Sequence, residues 1–167
     1  VIVTAKILSQ GGFFKKTYKN NNDIKIYSGI EALRIHASLK LTLNHMSSLF
    51  KREKAIECDF YKNDTLSIDT ESLWILSFHG KIAFLDKIID TWNVTPESTS
   101  WGKNWEKKIE DLTIRKRISL HARKHGLTNK ESNKIYTIMI SMWGYSHLSM
   151  LAIAGNYIGL YHYTIRF

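Results

Sequence analysis

Apolar positions along the 167-residue chain change period several times, and each change marks a predicted element. Val1–Ser9 is β-branched and weakly alternating, which predicts a strand ended by Gly11 and Gly12. Phe13–Asn20 reads as a second strand, and Asn20–Asp23 as a turn. Ser28 is an N-cap candidate with Glu31 at the capping-box position. Apolar residues then recur at Ala32, Ile35, Leu39, Leu43, Met46 and Phe50, which predicts one long helix over about 29–52. Ala55–Tyr61 and Thr65–Ile68 read as short strands around a turn at 62–64. Asp69 or Thr70 opens a further helical region. Its clearest part is Lys81–Trp92, with Ile82, Leu85, Ile88, Ile89 and Trp92 on one face.

Asn93–Trp101 holds the one Pro of the chain and is the natural place for an internal boundary. Residues 102–125 then read as helical with a change of phase. Trp105, Ile109 and Leu112 form one stripe, and Ile114, Ile118 and Ala122 form another, so a kink near Thr113 is expected. Gly126 suits a helix C-terminus, and Thr128 with Glu131 forms a second capping box. Gly144 is expected to interrupt the helix that follows. The aromatic and β-branched tail Tyr157–Phe167 reads as a terminal strand. The expected fold is α+β: a mostly helical single domain, residues 1–167, with short N-terminal strands, three or four principal helices and a C-terminal strand.

Composition narrows the class. Apolar residues make up 44% and aromatics 12%, enough for a real core and too many for a disordered chain. No apolar run reaches the length of a membrane-spanning helix, and Lys6 interrupts the only apolar stretch near the start, so no signal peptide is expected. Cys58 is the single cysteine. It excludes an internal disulfide and a thiolate zinc site, and fits a cytoplasmic or other reducing compartment.

Charge points to a partner. The chain carries a formal net charge of +9. Ile114–His125 concentrates Arg115, Lys116, Arg117, Arg123 and Lys124 with His121 and His125, and has no acid. Such a segment suits a polyanion, with Arg115, Lys116, Arg117, Arg123, Lys124 and His125 as the contacts. Its helical phase places Ile114, Ile118 and Ala122 inward. Arg115, Lys116 and Arg123 then cluster on one outward side, with Arg117 and Lys124 on another. His121–Ser141 also admits a helix–turn–helix reading, in which Asn129, Lys130, Asn133 and Lys134 face base edges. Trp101, Trp105, Tyr136 and Trp143 lie near the basic segment and are candidates for base stacking or for core packing.

Catalytic signals are sparse. No phosphate-binding glycine loop, dinucleotide fingerprint or serine-hydrolase elbow is present. His121 and His125 have zinc-like spacing, but no third ligand is evident and their neighbours are cationic, so neither metal nor cofactor is expected. Asp59, Asp64 and Asp69, and likewise Asp86, Asp90 and Glu97, read as surface and turn acids. Arg115 and His121 have an Arg-x5-His spacing that resembles the Arg-x4–6-His pattern of HEPN-type ribonucleases. That resemblance implies a helical fold and metal-independent RNA cleavage. It covers two residues only, Lys116 stands where a polar residue is expected, and the β-rich start departs from the family. His162, with His121, Tyr163 and Arg166, is the other candidate for acid–base work on RNA.

These observations favour a non-enzymatic, basic structural or assembly protein that binds RNA or another polyanion. Viral nucleoprotein or matrix proteins and ribosomal proteins are of this kind, and self-assembly or a larger complex would suit it. One alternative is a small metal-independent ribonuclease, such as the C-terminal toxin domain of a larger protein, with His121, His162 and Arg115 as its residues. The other is a peripheral binder of acidic membranes.

Overall fold

A computed structural model describes residues 2–10, 23–38, 41–93 and 105–166. It is an α+β protein whose chain separates into two compact units, Val1–Lys62 with Asp69–Val94, and Asn63–Ile68 with Thr95–Phe167. The expected strand at 13–20 lies outside the described residues.

The first unit is built on a four-stranded sheet. Its strands are β1 (Ile2–Gln10), β2 (Ile24–Ser28), β3 (Ser48–Phe50) and β4 (Lys81–Asn93), in the order β2-β4-β1-β3. The two central strands run parallel, with Ile2 opposite Ile82 and Thr4 opposite Phe84, and both edge strands are antiparallel to their neighbours. One face buries Ile2, Thr4, Ile82 and Phe84. On the other face Ile26 pairs with Ala83, Ala83 with Val3 and Val3 with Leu49, in a row that crosses all four strands. Ile26, Val3 and Leu49 are exposed there.

β4 corrects the helix expected at 81–92. A strand paired on both sides and apolar on both faces shows no alternation, so its Ile and Leu residues also fall at helical spacing. The long helix expected over 29–52 is shorter too. Helix α1 spans Gly29–Ala37, opened by the Ser28–Glu31 capping box and closed at Ser38. Leu41 and Leu43 are buried in the extended segment after it, and a short 3-10 turn at His45–Ser47 leads into β3. Helix α2 (Arg52–Glu57) replaces the strand expected at 55–61. Glu53, Lys54, Ala55 and Glu57 are strong helix formers, and Asp59 and Tyr61 follow in left-handed backbone (φ 52° and 66°).

Helix α3 (Ile68–Ser77) begins where the strand at 65–68 was expected to end. The His36 and Trp74 rings lie 5.0 Å apart, tying α1 to α3. Gly29 is required at the same junction, because a Cβ there would run into the Ser77 carbonyl.

The second unit is helical: α4 (Trp105–Lys124), α5 (Asn129–Ile153) and α6 (Tyr157–Arg166). Helix α4 runs through Thr113 without a break, and α5 runs through Gly144. The C-terminal strand expected at 157–167 is helix α6. Its signal in the sequence is Asn156, whose Oδ1 accepts from the Gly159 amide (2.8 Å), as an N-cap does. Gly159 lets this turn press against α4, since a Cβ there would come within 2.7 Å of Trp105 Cβ.

Candidate nucleic-acid interface

The basic segment lies on an antiparallel helical hairpin. Helix α4 is closed just past Lys124 by Gly126, whose φ of 102° is open to glycine and strained for other residues. Leu127 N–H donates to the Ala122 carbonyl and Gly126 N–H to that of Arg123, both at 3.1 Å, a Schellman closure. The Thr128–Glu131 capping box opens α5, with the Glu131 amide donating to Thr128 Oγ1 (3.3 Å) and the Thr128 amide donating to Glu131 Oε2 (3.2 Å).

Contacts between the helices then step in opposite directions. Arg123 meets Ser132 and Asn133, Arg115 meets Trp143, Asp111 meets His147 and Lys108 meets Met150. Neighbours that keep this register are antiparallel. A helix–turn–helix pair would cross at about 90–120° and soon part.

Helix α4 buries two stripes. Ile114, Ile118 and Ala122 are fully buried, as their phase predicts. The second stripe is Lys108, Asp111, Arg115 and Ser119, all but excluded from solvent. Arg115 therefore leaves the surface set. Its guanidinium carbon sits 3.9 Å from the centre of the Trp143 ring, a desolvated cation–π contact. Trp143 is thus engaged within the hairpin.

Around Arg115 lies a network of polar groups. Asp111 accepts from the Ser67 amide at Oδ1 (2.9 Å) and from the Ser67 hydroxyl at Oδ2 (3.0 Å). His147 Nε2 lies 3.7 Å from Asp111 Oδ2, and Tyr163 hydroxyl and His147 Nδ1 are 2.9 Å apart. Burial, with Lys108 and Arg115 nearby, lowers the His147 pKa to about 4, so the ring is neutral at pH 7. Burial raises the Tyr163 pKa, with Asp111 adding to the effect, so the phenol keeps its proton. Burial lowers the Lys108 pKa, partly opposed by Asp111.

The remaining cations face outward near the turn. Lys116 and Lys124 are exposed, and Arg117 and Arg123 are half-buried. Arg117 Nη1 donates to Thr113 Oγ1 (2.8 Å). Arg123 spans the seam, donating from Nε to Ser132 Oγ (2.8 Å) and from Nη2 to Asn133 Oδ1 (2.5 Å). Beneath it, the Ser119 and Ser132 hydroxyls are 2.5 Å apart. On α5, Lys130 and Lys134 are exposed one turn apart, beside Asn133. Glu131 is the one acid between Lys116 and Lys134, and it is engaged in the cap. Lys130 and Lys134 were expected on a recognition helix; they stand in the first two turns of α5, across the turn from Lys124 at the end of α4.

The candidate histidines of α4 and α6 lie in two separate places. His121 and His125 are half-buried and stack with ring centres 5.1 Å apart. His162 stacks on Trp105 at 4.6 Å, with the Arg166 guanidinium 5.9 Å from the same ring. Trp105 and His121 are sixteen positions apart on one helix, which is roughly 24 Å along the axis. Arg115 and His121, six residues apart, point from different sides of α4. The structure therefore gathers neither His121 with His162 nor Arg115 with His121. It gathers Lys108, Asp111, Arg115, His147 and Tyr163 instead. Sequence reasoning missed this set because charged residues at positions 108, 111 and 115 look like a solvated face.

No helix among the described residues is long and apolar enough to cross a membrane. Comparison with protein families, curated proteins and solved structures finds no match.

Proposed function

We propose that the helical unit is a non-enzymatic RNA-binding module, in which the turn end of the α4–α5 hairpin docks on the phosphate backbone. One observation carries this reading. Lys124, Lys130 and Lys134 are exposed close to the hairpin turn and Lys116 is exposed about two turns back along α4, and the one acid of the segment 116–134, Glu131, is committed to a helix cap. Bonding of Arg123 to Ser132 and Asn133 holds the two helices in register, so the cations are presented on a rigid frame. Phosphate neutralisation by such lysines releases counterions and drives binding that weakens with salt. An assembly or structural role on RNA follows from the same chemistry.

The ribonuclease alternative asks His121, His162 and Arg115 to share one phosphate. Their separation along α4 and the enclosure of Arg115 in the hairpin do not favour that arrangement.

The test is the triple variant K116A/K130A/K134A, titrated against a labelled single-stranded RNA by fluorescence anisotropy. Affinity should fall, and the salt slope should decrease by ~2, at about 0.7 for each phosphate that is no longer neutralised. An unchanged affinity and slope would overturn the assignment of this surface.

A further inference from the structure

Helix α6 is apolar on both sides. Gly159 and Tyr163 are buried toward α4 and α5. On the other side Tyr157, Ile158, Tyr161 and Ile165 are 75%, 71%, 64% and 66% exposed. At about 100° per residue these four fall within one arc of about 100°. Thr164 borders the arc on one side, and His162 and Arg166 on the other. Ile153, near the end of α5, is also exposed. A helix apolar all round belongs in a covered setting.

We infer that α6 lies on the surface of an anionic membrane. Tyr157, Ile158, Tyr161 and Ile165 enter the boundary between headgroups and acyl chains, and Arg166 meets lipid phosphate. Charge selects this occupant. From Ser132 to Phe167 the chain has no acidic residue, so nothing along α5 beyond its first turn or on α6 repels an acidic bilayer. Side-chain chemistry agrees, because tyrosine joins an apolar ring to a hydroxyl and suits the membrane–water boundary.

Area argues against a second copy. The four side chains expose on the order of 500 Å² in total, taking roughly 150–250 Å² for a whole large side chain. That reaches the upper range of single patches on monomers and falls short of the roughly 800 Å² per partner of a standard protein interface. A two-fold pair would also bring like cations together at Arg166.

This inference stands apart from the RNA reading, since the hairpin turn and α6 are different surfaces. The full chain is mixed at low salt with vesicles of phosphatidylcholine alone or with one third phosphatidylserine, then sedimented. The chain should pellet with the anionic vesicles, and I158D/I165D should partition at least tenfold less. A second variant, Y157E/Y161E, should show the same loss. Both should keep wild-type circular dichroism and wild-type RNA affinity. The inference is overturned if the chain stays in the supernatant with anionic vesicles, if it binds both vesicle types equally, or if both variants pellet like wild type. It is also overturned if light scattering shows a dimer that I158D/I165D converts to a monomer.

Discussion

Asp111 and His147 meet inside the helical unit, Oδ2 to Nε2 at 3.7 Å, with both side chains buried. Yet the histidine remains neutral at pH 7. Burial and the cations Lys108 and Arg115 bring its pKa to about 4, and the carboxylate is already bonded twice by Ser67.

This gives a pH dependence with a definite sign. Above the unfolded value near 6.5, the ring is neutral in both states and contributes no slope. Between there and about pH 4 the unfolded chain takes up a proton that the folded unit refuses, so stability falls with pH. The whole window is worth up to about 3 kcal/mol. Urea unfolding followed by Trp fluorescence at pH 7.5, 6 and 5 should show the fall. In H147Q the part due to this ring should vanish; an equal slope in the variant would contradict the assignment.

Arg115 is a structural residue of the hairpin. Arg115→Lys keeps the charge and loses the planar stack on Trp143, which should cost about 1–2 kcal/mol. Arg115→Ala should cost about 3 kcal/mol or more. At a temperature where each variant is folded, RNA affinity and salt slope should match wild type. A lowered salt slope in Arg115→Lys would place this side chain on the ligand instead.

The outward cations divide into two pairs. Lys116 and Arg123 are seven residues apart on one side of α4, and Arg117 and Lys124 are seven apart on another. Replacing Lys116 and Arg123 should lower the salt slope more than replacing Arg117 and Lys124, because Arg123 lies on the seam with α5, bonded to Ser132 and Asn133, and Lys116 shares its side of α4. Arg123→Ala should also cost about 1–2 kcal/mol of stability through its bonds to Ser132 and Asn133. Equal slopes for the two double variants would show that the seam is not the docking line.

Gly159→Ala should destabilise the helical unit by about 1–3 kcal/mol, as overpacking does. The added methyl would strike Trp105 Cβ and the Asn156 amide that caps α6. Thermal melting measures this directly; a neutral effect would mean that α6 does not press on α4 as described.

Local signals that name their own partners were legible in the chain. Ser28 with Glu31, Thr128 with Glu131, and Gly126 open or close helices as their side chains and φ require. The inward stripe Ile114, Ile118 and Ala122 was equally plain. Elements fixed by their neighbours were not. Strand β4 carries apolar residues on both faces, Ile82 and Phe84 on one and Ala83 and Leu85 on the other, and that blurs the alternation by which a strand is known. Helix α6 has the aromatic content of a strand, and its packing on Trp105 and His147 overrides that preference. The basic segment was visible as a charge concentration, but sequence could not separate Arg115 from Lys116. Only the hairpin register, which brings Trp143 to Arg115, takes one cation inside and leaves the other in solvent.

The most direct measurement is the affinity of the full chain for a labelled single-stranded RNA across a series of salt concentrations. A cationic hairpin end that neutralises several phosphates predicts a linear fall of log affinity with log salt, with a slope of about −3 for the four exposed lysines at about 0.7 each. Absence of binding at low salt, or binding that does not change with salt, would contradict it.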